Sequence, residues 1–189
     1  MKKLVKRSSA LLFVIVMVMS MMVVPASAFV REYGHPNITF SAHVQNYGWM
    51  NEVGNGGVVG TTGQSLRMES LKVRVKSGYA NLSGWVCLQS HVQNIGWTGV
   101  SRNSVGICGA DGKDVTTGTE GQSLRMEAVR IWLEGDIRNA FSVRYRAHVQ
   151  NYGWMGWVSD GATAGTTGQS LRIEAIEIQL VEKGISSRG

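Results

Sequence analysis

The sequence is poor in the residue types that carry recognisable chemistry. Only two cysteines occur in 189 residues, too few for a disulfide framework or a four-thiolate zinc site. No phosphate-binding loop, HExxH or Gly-x-Ser-x-Gly is present, so the chain offers no cofactor, metal or catalytic signature. Charged residues make up only 17%, yet the 43% hydrophobic content excludes a disordered chain, and the 24 glycines follow no collagen period. One or two domains are expected at this length, with a core that needs no metal or disulfide staple.

The formal charge of +6 raises the question of nucleic acid or an anionic membrane. Its source answers that question. Lys2, Lys3, Lys6 and Arg7 precede an apolar run from Leu11 to Val24, broken only by Ser20, and Pro25-Ala26-Ser27-Ala28 follows. This is the template of a secretory signal peptide, residues 1–28, with cleavage expected after Ala28. The run is shorter than the roughly 20 residues that span a bilayer. No cysteine follows it that could carry a lipid. Removal of residues 1–28 leaves 161 residues with 15 basic and 13 acidic, a net charge of +2. A secreted or surface-exposed protein is expected, with no nucleic-acid partner and no stable membrane insertion after cleavage.

What remains is a repeat. His43-Val44-Gln45-Asn46-Tyr47-Gly48-Trp49 returns as His91 to Trp97, with Ile95 in place of the tyrosine, and as His148 to Trp154. Downstream, Gly63-Gln64-Ser65-Leu66-Arg67-Met68-Glu69 matches Gly121 to Glu127 and Gly168 to Glu174. From His to Arg is 24 positions in the first and third copies and 34 in the second, an insertion of ten placed within Ser104 to Val115. Each copy is read as one supersecondary unit of a single domain over 29–189, at about 38–75, 85–133 and 141–180.

Period-two alternation marks the run into each His motif as a half-buried strand. Ile38, Phe40, Ala42 and Val44 lie on one face, and Val143, Tyr145, Ala147 and Val149 are their third-copy counterparts. The second long run alternates, then slips phase at Ser70-Leu71, at Ala128-Val129 and after Ala175, as a β-bulge would make it do. Leu-Arg-Ile-Glu-Ala would also suit a helix, but the β-branched content and Gly-rich flanks favour strand. Three short-connected units suggest an all-β, pseudo-threefold closed assembly. A β-prism fits, favoured by the long strands, and a β-trefoil is the alternative.

The string His-Val-Gln-Asn-x-Gly-Trp … Gly-Thr-Thr-Gly-Gln-Ser-Leu-Arg-x-Glu-Ala closely resembles the clostridial hydrophobic repeat, whose name-giving Trp maps to Trp49, Trp97 and Trp154. The resemblance covers residues 38–180 and implies a secreted or cell-surface protein with a role in polysaccharide binding, adhesion or surface interaction. It carries over no catalytic residue. The chain departs from the pattern by the insertion in its second copy and by Ser70 where the other copies have Ala.

Residues repeated three times at equivalent places are first candidates for the fold. Arg67/Glu69, Arg125/Glu127 and Arg172/Glu174, two apart on one strand, are read as ion pairs or partners of loop backbone. A catalytic role for these glutamates would need two carboxylates in different environments, and nothing distinguishes such a pair. His43, His91 and His148 could converge on a threefold axis around a metal; hydrogen bonding is the commoner use of such histidines. Trp49, Trp97 and Trp154 either plug the core or offer a stacking face to a sugar, with Gln45, Gln93 and Gln150 as hydroxyl partners. Trp132 and Trp157 occur in one copy each. With Tyr47 and Tyr152, they are the better candidates for a ligand surface. Cys87 and Cys108 both fall in the enlarged copy, where a disulfide would suit an exported protein.

These observations point to an exported, non-enzymatic module that binds a polysaccharide, a cell-surface glycan or another surface component. The alternative is a structural or adhesion protein whose partner is a surface protein, contacted through the insertion.

Overall fold

The computed structural model describes residues 36–78, 82–101 and 104–184; residues 1–28, where a signal peptide is expected, lie outside the described residues. The chain is all-β. The first repeat contributes β1 (Asn37–Val44), β2 (Gly48–Trp49), β3 (Val53–Gly54), β4 (Val58–Gly60) and β5 (Met68–Lys76). The second contributes β6 (Gly84–Val92), β7 (Gly96–Trp97), β8 (Val100–Ser101), β9 (Ser104–Val105), β10 (Ile107–Cys108), β11 (Asp114–Gly118) and β12 (Met126–Gly135). A one-turn helix, α1 (Ile137–Ala140), leads into β13 (Phe141–Val149), β14 (Gly153–Trp154), β15 (Val158–Ser159), β16 (Ala164–Gly165) and β17 (Ile173–Glu182). The strands begin at Met68, Met126 and Ile173, just after each Leu-Arg pair, and none of these runs is helical.

In each copy the two long strands pair antiparallel, β1 with β5, β6 with β12 and β13 with β17. Their alternating apolar side chains point one way, into a single core built from all three repeats. Each long pair also receives a short strand from another repeat. β4 of the first repeat adds to β17 of the third, β11 of the second to β5 of the first, and β16 of the third to β12 of the second. This cyclic exchange closes the ring and covers three edges that would otherwise present unpaired backbone. Three separate sheets around one core make the arrangement prism-like; a trefoil would have a single barrel with a hairpin cap.

The exchanged strand docks at the bulge. Val44 pairs with Met68 and His43 with Ser70, so Glu69 is the extra residue. The same holds for Glu127 and Glu174. The phase slip read at Ser70-Leu71 thus lies one residue earlier, because the bulged residue is polar and the alternation of apolar side chains cannot register it. The carbonyl exposed at each bulge accepts a backbone bond from the neighbouring repeat: Thr119 N–H to Glu69 at 2.9 Å, Thr166 to Glu127 at 2.9 Å and Thr61 to Glu174 at 2.8 Å. The residue before each of these threonines is Gly118, Gly165 or Gly60, with φ of 105°, 103° and 109°. A Cβ there would overlap the bulge carbonyl, so only glycine lets the two backbones approach. Arg74 and Asp114 add an ion pair across the first of these joints at 2.7 Å, which holds the Asp114 carboxyl below the usual carboxylate range.

One core position breaks the threefold chemistry. Phe40, Leu88 and Tyr145 are equivalent, each three residues before its His. The buried Tyr145 hydroxyl accepts the Ile131 N–H at 2.9 Å and donates to the Ala162 carbonyl, bridging the second and third repeats. Burial pushes its pKa up to about 12.

The insertion is not one block within Ser104 to Val115. Ile107 pairs with Leu88 as Val53 pairs with Phe40, so β10 corresponds to β3. Trp97 to Ile107 spans ten positions where Trp49 to Val53 spans four, and Ile107 to Gly118 spans eleven where Val53 to Gly60 spans seven. Six residues therefore enter before β10, where β8 and β9 pair, and four after it. Cys108 accordingly belongs to an element shared by all copies. It faces Cys87 across β6 and β10, and the two sulfurs are bonded at 2.04 Å.

Candidate functional site

Each repeat builds the same corner. After β1 the chain reverses through a turn in which the Tyr47 N–H donates to the Val44 carbonyl at 3.0 Å, with Asn46 at φ 68°. Asn94 and Asn151 take the same left-handed conformation, at 63° and 68°. Asparagine tolerates it because its short side chain can bond locally. The reversal places Trp49 directly opposite His43, Trp97 opposite His91 and Trp154 opposite His148. The rings meet edge to face at 5.7, 5.5 and 5.4 Å between centroids.

The bulge re-aims its glutamate into this corner. Glu69 Oε1 accepts from Arg67 Nε at 2.8 Å and Nη2 at 2.7 Å, and Oε2 lies 3.1 Å from His43 Nδ1. In the second copy the corresponding distances are 2.9, 2.8 and 3.0 Å for Glu127 with Arg125 and His91. In the third they are 2.9, 2.7 and 3.1 Å for Glu174 with Arg172 and His148. All three glutamates are buried. Each carboxylate thus lies between an arginine and a histidine, an arrangement that suits a staple between strand and hairpin. Each histidine is held within its own repeat, and no group of three or more His, Cys, Asp or Glu converges among the described residues.

Of the two places open to the repeated tryptophans, core or outer face, they take the outer one. His43 sits on the strand parity opposite Ile38, Phe40 and Ala42, so its partner Trp49 is on the outer face, half-buried. A cation covers each indole: Lys72 at 4.3 Å from the Trp49 centroid, Arg130 at 4.0 Å from Trp97 and Arg146 at 4.8 Å from Trp154. Trp49 Nε1 also donates to Glu120 of the second repeat at 3.2 Å. One face of each of the three rings is thus taken by a cation. Gln45, Gln93 and Gln150 are half-buried beneath the turns, and their backbone N–H groups donate to the Arg67, Arg125 and Arg172 carbonyls at 3.0 Å. Trp157 lies between Arg144 and Arg146, at 4.6 and 4.7 Å.

The residue left free by the corner is the variable one. Tyr47 is 58% exposed, Ile95 51% and Tyr152 60%. The Tyr47 hydroxyl donates to Gln64 Oε1 at 3.0 Å and the Tyr152 hydroxyl to Gln169 Oε1 at 3.1 Å. These glutamines belong to the Gly-Gln-Ser loops, where Ser65, Ser123 and Ser170 hold φ of 58°, 56° and 56°. A left-handed non-glycine residue costs on the order of 1 kcal/mol, and three such residues mark a loop held in one shape. Each tyrosine is thus an exposed ring on a fixed mount. Gln64 and Gln169 were not singled out in the sequence, although their place in the second repeated string was the available signal.

A family model described as Clostridial hydrophobic W matches the chain three times in tandem, at residues 43–77, 91–135 and 148–182. The three matches begin at the three corner histidines. No curated protein and no solved structure matches the chain.

Proposed function

We propose that this chain, which belongs to the clostridial hydrophobic W family, is an exported, non-catalytic module that binds carbohydrate at a cell surface through equivalent corners of its three repeats. One observation carries this reading. Tyr47 and Tyr152 are more than half exposed, at threefold-equivalent places, with their hydroxyls pinned by Gln64 and Gln169. An immobilised aromatic ring beside an amide is suited to a sugar, which offers an apolar face and a rim of hydroxyls. Pre-ordering the ring removes part of the entropy cost of binding. The second corner carries Ile95, which has no hydroxyl to pin, and is the weakest of the three. Two weak sites on one rigid body would engage a repeating polymer with an avidity roughly 10²-fold or more above either alone.

The test is retention of the secreted protein on insoluble glycans such as cellulose, chitin or peptidoglycan. Tyr47→Ala combined with Tyr152→Ala should abolish retention while leaving the unfolding temperature within a few degrees. Undiminished retention would remove the corners from the account. Capture of a surface protein with no glycan retained would favour the adhesion reading.

A further inference from the structure

The outer face of the second sheet differs from the other two. Trp132 stands opposite Cys87 there, with Arg130 opposite Gln89 on one side and Glu134 opposite Trp85 on the other. The same tier carries Thr39 and Arg74 in the first repeat, and Arg144 and Gln179 in the third. Three depressions adjoin around it. One of about 500 Å³ is lined by Gln89, Arg130, Trp132 and Glu134 and by the disulfide at Cys108. A second of about 300 Å³ shares Trp132 and Glu134 and extends to Asp160 and Lys183. A third of about 280 Å³ shares Cys108 and reaches Trp85. Together they form an elongated groove in the size range of small-molecule sites. Successive tiers of a strand face lie about 7 Å apart, so Trp85 and Trp132 are stepped along the groove.

The insertion builds this face. The six residues added before β10 end at Gly106, which is buried at φ 110°. A Cβ on Gly106 would overlap the tip of the Trp132 ring, so the insertion's backbone seats the indole. Gln89 is only 3% exposed and its oxygen accepts from Arg130 Nη1 at 3.4 Å. Its amide nitrogen makes no hydrogen bond among the described residues, although the side chain lines the groove. The amide lines the groove and is placed to donate to a ligand oxygen there.

We propose that this groove is a separate, single-copy site that takes one linear glycan chain. Trp132 supplies the stacking platform, Gln89 donates to a hydroxyl and Glu134 accepts from one on the next unit. Trp85, 38% exposed, extends the platform by a tier. The walls offer an indole, an amide, carboxylates and the Arg130 and Lys183 cations, polar partners spaced along an aromatic platform as a chain of hydroxylated rings requires. The proposal rests on the carbohydrate reading above and adds a site that the threefold repeat does not contain.

The experiment is calorimetric titration of the secreted, oxidised protein with three soluble probes: cellohexaose, xylohexaose and chitohexaose. One of them is expected to bind. Trp132→Ala should weaken it at least tenfold, Trp132→Phe should stay within about threefold of wild type, and Glu134→Gln should weaken it threefold or more. Trp132→Ala within twofold of wild type overturns the proposal. If that variant does not fold, an unchanged affinity for Glu134→Gln overturns it instead. No hexasaccharide bound while insoluble glycan is still retained overturns the groove and leaves the corners standing. No glycan bound in either form overturns both.

Discussion

Replacing Glu127 by glutamine tests whether the bulged carboxylate holds the corner together. Glu127 is 6% exposed, and its partners Arg125 and His91 are each 21% exposed. The amide keeps one acceptor oxygen, enough for the Arg125 guanidinium at 2.9 Å, but presents an N–H₂ group or a neutral oxygen to His91. Hydrogen bonds involving a charged group are worth about 1.5–3 kcal/mol each. The substitution removes the charge from all three contacts and eliminates at least one, while Arg125 and His91 recover some hydration through their exposed fifth. The net expectation is a loss of about 2–3 kcal/mol. In a chain of this size each kcal/mol lowers the midpoint by roughly 2–4 °C, so the melting temperature should fall by about 4–12 °C. Thermal and urea unfolding monitored together provide the assay, with an unchanged m-value showing that stability alone has moved. Glu120→Gln is the control: that glutamate is exposed, its one bond to Trp49 is long at 3.2 Å, and the change should cost under about 0.5 kcal/mol. A Glu127→Gln loss no larger than the control's would refute the claim that the carboxylate fastens hairpin to bulge.

Three further outcomes follow from the same geometry. Tyr145→Phe leaves the buried Ile131 N–H without its partner and removes the bond to the carbonyl of exposed Ala162, and should cost about 1–3 kcal/mol in urea unfolding. Because Tyr145 titrates near 12 folded and near 10 unfolded, its contribution is complete below pH 10 and declines as pH rises towards 12. Wild type should therefore lose up to about 3 kcal/mol over that window, and Tyr145→Phe should be flatter there. Reduction of Cys87–Cys108, which closes a loop of 21 positions, should lower stability by about 3 kcal/mol on the chain-entropy estimate, read as a dithiothreitol-dependent shift in midpoint. Gly118→Ala should destabilise far more than Gly121→Ala. Both have positive φ, but only at Gly118 would the new methyl overlap the neighbouring repeat's bulge, whereas nothing lies within 4 Å at Gly121.

Much of the architecture was legible because it repeats. Alternation in Ile38 to Val44 and in Val143 to Val149 marked the long strands, and the three phase slips announced the bulges. The extra residue escaped by one position because Glu69 is polar and apolar periodicity is blind to it. The strand exchange was not legible at all. Val58-Val59-Gly60 carries no mark of whose sheet it joins, since that choice is made by Gly60 fitting against the Glu174 carbonyl more than a hundred residues away. The tryptophans stayed open between core and outer face for a related reason. A three-residue reversal returns Trp49 to His43, and His43 faces outwards, which recurrence alone does not reveal. Tyr47 and Tyr152, picked out for varying between copies, proved to be the exposed residues. Trp85 escaped notice because its position in the groove depends on pairing with Glu134, which no local pattern encodes.

The central claim is that the residues spelled out three times build the scaffold and that binding belongs to side chains the motif leaves free. Chemical-shift mapping of the ¹⁵N-labelled protein during glycan titration addresses it most directly, because the six tryptophans give six indole N–H signals. The prediction is that the largest shifts fall on the Tyr47 and Tyr152 backbone amides and the Trp132 indole, while the Trp49, Trp97 and Trp154 indoles stay nearly fixed. Large shifts on the three repeated indoles, with Tyr47, Tyr152 and Trp132 unmoved, would contradict it.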